Sequence, residues 1–202
     1  MNPTTLPRKH FDELFAATDD PWDFRKRWYE SRKRALTVAC LPRARYASGY
    51  EPGCANGELS AALAERCDRL LISDGAAQAV ALAQKRVANL RHVSAVQAWI
   101  PDEWPDARFD LIVISEVAYY LDADALAGVA AKARKTLLPG GDIVGCHWRR
   151  PIDGCRLDGD AVHSTLSQAL GLTRVWSLVD PDFRLEVWSD DQRSVGTREA
   201  LA

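Results

Sequence analysis

From about residue 46 the chain alternates short apolar runs with longer stretches in which apolar residues recur at helical spacing. Tyr46–Glu51, Arg69–Ser73, His92–Gln97, Phe109–Ser115 and Asp142–Trp148 read as strands, and the Phe109–Ser115 run is the strongest of them. Glu58–Arg66, Ala76–Asn89 and Asp122–Leu138 read as helices, the last stopped by the breaker cluster Pro139-Gly140-Gly141. A Gly- and charge-containing connection over 149–160 leads to a helix at Ala161–Leu170 and two more strands, Leu172–Val179 and Phe183–Ser189. Only Asp180-Pro181-Asp182 joins those two, too short a link for a parallel crossover, so they form a hairpin. The pattern predicts an α/β fold: a mostly parallel seven-stranded sheet, helices on both faces and a C-terminal antiparallel hairpin.

That arrangement is the Rossmann-like one of class I S-adenosylmethionine (SAM) methyltransferases; a nicotinamide dehydrogenase would continue with parallel units instead. The run Tyr50–Gly57 points the same way. Glu51 ends a strand, Gly53, Cys54 and Gly57 make a turn, and a helix follows. Glycines there let the backbone pass close to a ligand at positive φ. The dinucleotide fingerprint Gly-x-Gly-x-x-Gly fails, because Ala55 and Glu58 stand where two of its glycines belong. Asp74 ends the second strand about twenty positions past Gly53, the offset of a ribose-binding carboxylate, and it could equally cap the next helix. Gly75 follows it. The slot after the third strand, Ala98-Trp99-Ile100, would take adenine, with Trp99 stacking on the ring or walling the pocket.

Ligands of open α/β sheets bind off the carboxyl ends of strands, which brings in Ser115, Glu116, Val117, Tyr119 and Tyr120. Glu116 is the first candidate to orient the cofactor or take a proton from substrate, and His147 the second. Trp22, Tyr119, Tyr120 and Trp148 would contact substrate, stacking on a sugar face or a planar acceptor.

Composition narrows the setting. The chain has 202 residues and a net charge of −2, which suits one domain and leaves no footprint for nucleic acid or an anionic membrane. Arg25, Lys26, Arg27, Arg32, Lys33 and Arg34 surround Trp28 and Tyr29, but Asp12, Glu13, Asp19, Asp20, Asp23 and Glu30 balance them. Residues 1–45 therefore read as a helical cap over the pocket, 46–190 as the SAM-binding domain and 191–202 as a flexible tail. Met1–Phe15 lacks a signal-peptide core, and no apolar run is long enough to cross a bilayer. Cys40, Cys54, Cys67, Cys146 and Cys155 are scattered with no Cys-x-x-Cys pair, which argues for reduced thiols in a cytoplasm and against a metal site.

Separated blocks carry a closer resemblance. They are Asp20-Pro21-Trp22, Trp28-Tyr29-Glu30 with Arg32-Lys33, Leu41-Pro42, Glu51-Pro52-Gly53-Cys54 and Pro101 to Pro105. Phe109 to Ile112, Ser115-Glu116-Val117, Tyr119-Tyr120-Leu121, Pro139-Gly140-Gly141 and His147-Trp148 follow in order. In these the chain resembles the NodS-like SAM-dependent methyltransferases, over roughly residues 11–190. The resemblance implies methyl transfer from SAM to an amine, with S-adenosyl-L-homocysteine (SAH) as product. In the founding nodulation proteins the acceptor is the free amino group on the terminal glucosamine of a deacetylated chitooligosaccharide. It also implies that the cap, with Trp28, Tyr29 and Arg32, closes over the cofactor. The expected partner is a small-molecule or oligosaccharide substrate, and the expected assembly a monomer or homodimer. A SAM-binding module without turnover and a nicotinamide oxidoreductase are the rival readings.

Overall fold

The computed structural model describes residues 5–200; residues 1–4 of the expected cap and 201–202 of the expected tail lie outside the described residues. Helices α1 (Arg8–Ala17) and α2 (Trp28–Ala39) precede the sheet. Then come β1 (Gly49–Pro52), α3 (Glu58–Ala64), β2 (Leu70–Asp74), α4 (Ala77–Arg86), β3 (Val93–Gln97) and β4 (Phe109–Ser115). A 3-10 turn at Ala118–Tyr120 leads to α5 (Ala123–Thr136), β5 (Leu137–Trp148), α6 (Gly159–Ala169), β6 (Thr173–Val179), β7 (Phe183–Ser189) and α7 (Val195–Arg198).

All seven strands form one sheet in the order β3-β2-β1-β4-β5-β7-β6. The pairs among β1 to β5 are parallel, and β7 runs antiparallel to both β5 and β6. The expected hairpin is therefore present at one edge. Strand order reverses between β1 and β4, and the crevice at their carboxyl ends is where such sheets bind ligands.

β4 sets the two core layers. Leu111 and Val113 pack with Leu63, Ala83 and Val87 of the α3–α4 side, whereas Ile112 and Ile114 pack with Leu126, Val129, Val162 and Leu166 of α5 and α6. Phe109 breaks the alternation and joins the second layer. The cause is a bulge: the amides of Asp110 and Leu111 both donate to the Ser48 carbonyl, at 3.0 and 3.3 Å.

The same region corrects two expectations. The Asp110 carboxylate accepts from the amides of Ala47 (2.9 Å) and Ser48 (2.7 Å), so a side chain replaces the ladder there. β1 accordingly begins at Gly49, and Tyr46 makes only an isolated bridge to Cys67. Pro139-Gly140-Gly141 does not separate a helix from a strand. α5 ends at Thr136, Leu137 already pairs with Phe109, and the next pair is Leu111 with Asp142. The breaker residues bulge out between two paired stretches of β5, where a proline needs no ladder partner. In the expected tail, Ser194 caps α7 by accepting from the Thr197 amide, and Arg198 donates to the Asp191 carbonyl at 3.0 Å.

Candidate active site

The carboxyl ends of the parallel strands, closed over by α1 and α2, surround a cavity of about 610 Å³. Its two halves differ in chemistry.

The first half is built by the turn after β1. Gly53 has φ +74°, and a Cβ there would sit 2.7 Å from Val117 Cγ2, so only glycine passes beneath the end of β4. Ala55 is also left-handed, with φ +49°. The Asp74 carboxylate ties this turn down: it accepts from the amides of Ala55 (2.9 Å) and Ala76 (3.0 Å), joining loop, β2 and the start of α4. Burial raises its pKa against the lowering effect of those amides. Glu51 is 2% exposed, and its Oε2 has no hydrogen-bond partner among the described residues. Burial outweighs the lowering effect of the Ser60 hydroxyl and, with the Asp74 carboxylate adding to it, pushes the Glu51 carboxyl up to about 8. Asn56 donates through Nδ2 to Asp20 at 2.9 Å while its Oδ1 is likewise unpartnered and buried. Trp99 packs against Gly75, where a Cβ would come within 2.3 Å of the indole ring. Its amide donates to Glu103 at 2.7 Å, and the Arg8 guanidinium lies 4.9 Å from its ring centroid.

The second half centres on a buried cation. Glu116 follows β4 with φ +55°, strained for a side-chain-bearing residue. Its Oε2 accepts from the Tyr119 hydroxyl and from the Trp148 amide at 3.2 Å; its Oε1 lies 2.7 Å from Lys33 Nζ. Lys33 is buried, and Glu30 of the preceding helical turn holds the same ammonium at 3.0 and 3.2 Å. Nζ also stands 4.9 Å from the Tyr29 ring centroid. Burial disfavours the ammonium, but the Glu116 carboxylate, with Glu30 behind it, outweighs that and holds Lys33 above the ordinary lysine range. Burial raises the Glu30 carboxyl, with Lys33 opposing. The Tyr29 hydroxyl is buried, with no hydrogen-bond partner among the described residues.

Most of the residues expected from sequence meet in this cavity. Glu51, Gly53, Cys54, Asp74, Gly75 and Ala98 to Ile100 line the first half; Ser115 to Val117, Tyr119, Tyr120 and Trp148 line the second. Trp22 joins them from the α1–α2 loop, edge-on to Phe15 at 5.7 Å.

Four do not line it. Trp28 is 76% exposed on the outer face of α2. Arg32, one turn on, pairs outward with Asp180 at 2.8 Å. Gly57 begins α3 and abuts Ala83 of α4. His147 is fully buried behind Tyr119, with its Nδ1 3.2 Å from His163 Nε2; burial, and then His163, hold its pKa well below the usual imidazole range. Its side chain points away from the cavity because β5 alternates, which leaves Trp148 facing inward.

Of the expected cap residues Trp28, Tyr29 and Arg32 only Tyr29 lines the cavity; sequence reasoning missed Glu30, Lys33 and Thr37, which line it beside Tyr29 from α2. Glu30, Lys33 and Thr37 are the buried residues of that helix, spaced three and four apart. Its inner face is polar, so hydrophobicity could not mark it; the acid–base pair at i, i+3 was the available signal. Among the described residues no three His, Cys, Asp or Glu side chains are grouped to hold a metal ion, and no helix is long and apolar enough to cross a membrane.

The family model for Nodulation protein S (NodS) matches residues 8–163. The chain belongs to the NodS family. Nodulation protein S of Rhizobium tropici is 32% identical over 130 residues, covering 63% of this chain and 55% of that protein. This NodS-family chain thus spans little more than half the length of that curated relative. A Pseudomonas syringae protein of known structure is 50% identical, covering 81% of this chain and 99% of that one at a TM-score of 0.73. The N-methyltransferase NodS of Bradyrhizobium japonicum WM9, solved in complex with SAH, is 26% identical at a TM-score of 0.79, covering 91% and 98% of the two chains. The fold is that of the class I methyltransferases, as the sheet order and edge hairpin predict.

Proposed function

We propose that this chain transfers a methyl group from SAM to the nitrogen of a small amine, releasing SAH. The observation that carries the reading is the pair of unpartnered, buried acceptor atoms, Glu51 Oε2 and Asn56 Oδ1, in a cavity also walled by Asp74. A buried acceptor without a donor is costly, and an ammonium supplies the donors these two lack. The amino-acid end of the cofactor would sit there, the ribose hydroxyls on Asp74, and adenine in the slot made by Gly75, Ala98, Trp99 and Ile100. These residues fit the group. When bound, it supplies a methyl already activated on a sulfonium.

The chain's own task is then to orient and to handle a proton. Phe11, Phe15 and Trp22 of the N-terminal cap cover the first half and keep water out. Tyr29, Tyr120 and Trp148 offer aromatic faces to the acceptor, which aligns its nitrogen for attack. An amine attacks unprotonated, and the carboxylates of Glu30 and Glu116 stand in this half. The Bradyrhizobium relative is an N-methyltransferase, which supports nitrogen as the atom methylated.

The test is incubation with methyl-labelled SAM and a panel holding glucosamine, deacetylated chito-oligomers and small alkylamines. Label is expected in at least one amine, with SAH formed in step. Label in none, from protein that binds SAH, would overturn the amine assignment.

Gly75→Val checks the adenine slot. Its branched side chain collides with the Trp99 ring, an overpacking worth roughly 1–3 kcal/mol. SAH affinity is expected to fall by at least about tenfold, the equivalent of 1.4 kcal/mol. Unchanged affinity in calorimetry would place adenine elsewhere.

A further inference from the structure

We propose that Glu30 takes the proton from the acceptor amine, and that Lys33 is a positioning residue that locks Glu116 out of that role. The inference rests on the amine reading above and adds the residue that serves it.

The oxygens of Glu116 are committed. One is ion-paired with Lys33 at 2.7 Å, and the other accepts from the Tyr119 hydroxyl and the Trp148 amide. Taking a proton would break part of that clamp, on a residue whose backbone is already strained at φ +55°. Glu30 is placed differently. Both its oxygens touch only Lys33 Nζ among the described residues, and its side chain lines the cavity.

Charge favours the same assignment. Glu30, Lys33 and Glu116 place two carboxylates against one ammonium, a local −1 to which Glu51, Glu58, Asp74 and Asp182 add and which Arg27 and Arg34, the latter donating to the Phe24 carbonyl at 2.7 Å, offset in part around the cavity. That charge attracts an acceptor in its ammonium form and disfavours an anionic one. Transfer breaks one N–H bond of the acceptor, leaving its electron pair on nitrogen, and forms an O–H bond on a Glu30 oxygen. Ammonium and carboxylate are both neutralised, while the Lys33–Glu116 pair stays intact and balanced. Burial of Glu30 pulls the same way, since it favours the protonated acid. The unpartnered Tyr29 hydroxyl, one residue away, is free to hold the acceptor in place.

The experiment measures methyl transfer from labelled SAM to the same amine panel against pH, with SAH affinity for each variant and carboxyl-13C NMR of Glu30. Glu30→Gln is expected to slow turnover at least about 10²-fold, as loss of a general base does. It should abolish the acidic limb of the rate profile and leave SAH affinity within about threefold. Glu116→Gln should slow turnover and keep that limb. Lys33→Met should move the limb to higher pH, because the ammonium that favours ionised Glu30 is gone; Lys33→Arg should restore it. The Glu30 carboxyl in SAH-loaded protein should titrate above the ordinary glutamate range, and higher again in Lys33→Met. Glu30→Gln turnover within threefold of wild type, loss of the limb in Glu116→Gln instead, or a Glu30 carboxyl titrating in the ordinary range overturns the proposal. Failure of the wild-type protein to bind SAH strikes the methyltransferase reading itself, a separate outcome in the same data.

Discussion

Binding of SAH at pH 7 is expected to release close to one proton, and that proton comes from Glu51. Its carboxyl is buried and pushed up to about 8, so about nine-tenths of the ligand-free protein holds it protonated at pH 7. An ammonium placed against Oε2 favours the ionised form and expels the proton. Affinity should therefore climb about tenfold per pH unit up to about 8 and then level off. Ligand-free stability runs the opposite way. A carboxyl raised on folding contributes stability below its unfolded pKa, and that contribution is lost as pH rises through about 8. The ligand-free protein should thus weaken between about pH 4.5 and 8, while the loaded protein does not. Titration calorimetry in two buffers of different ionisation enthalpy reads the proton directly. Buffer-independent heats, or heats from Glu51→Gln that match the wild type, would remove Glu51 from the site.

Glu186→Ala is expected to cost about 3–5 kcal/mol of stability, the loss that follows removal of one partner from a buried ion pair. Glu186 is fully buried in β7 and accepts from His163 at 2.7 Å, Arg184 at 2.8 Å, Arg174 at 2.9 Å and Ser177 at 3.2 Å. Removing it leaves buried His163 Nδ1 without its acceptor and takes one partner each from Arg174 and from Arg184, which keeps Asp160 at 3.4 Å. For a chain of this size the melting temperature should drop by roughly 6–20 °C. Burial works against the Glu186 charge, but hydrogen bonds from His163 and Arg184 outweigh it and bring the carboxyl down to about 2. Because the carboxylate accepts from His163 Nδ1, the next imidazole contact runs from His147 Nδ1–H to His163 Nε2. Burial lowers the pKa of both imidazoles. All three groups are depressed on folding, so the stability they contribute is present above their unfolded values. It should fall first as pH drops below about 6.5, from the histidines, and again from about 4.3 towards 2, from Glu186. A melting temperature within 2 °C of wild type for Glu186→Ala would contradict this.

The fold was legible because its strong signals are local. The Phe109–Ser115 run is buried on both faces, and the Asp180–Asp182 link allowed only a hairpin. What escaped depended on partners far away in the chain. β1 begins late because the Asp110 side chain takes its amides, and Pro139-Gly140-Gly141 sits in a bulge that only the pairing of β5 with β4 creates. The half of the cavity behind the β1 turn was readable from glycines and strand-end acids. The other half was legible on its β4 and β5 side, through Ser115 to Val117, Tyr119, Tyr120 and Trp148, but not on its α2 side. Trp28 and Arg32 stood out in the Trp-Tyr-Glu block, yet the helix turns Tyr29, Glu30 and Lys33 inward, and an inner face made of charges has no hydrophobic mark. His147 looked exposed to substrate at a strand end, but strand alternation gives that place to Trp148.

A crystal structure of the protein with SAH tests the central claim most directly. Adenine is expected in the slot lined by Gly75, Ala98, Trp99 and Ile100, the ribose hydroxyls on Asp74, the homocysteine amine on Glu51 Oε2, and the sulfur facing Glu30 and Glu116. SAH bound away from that rim, or crystals grown with it in which Glu51 and Asp74 are covered by the protein's own side chains, would contradict the account.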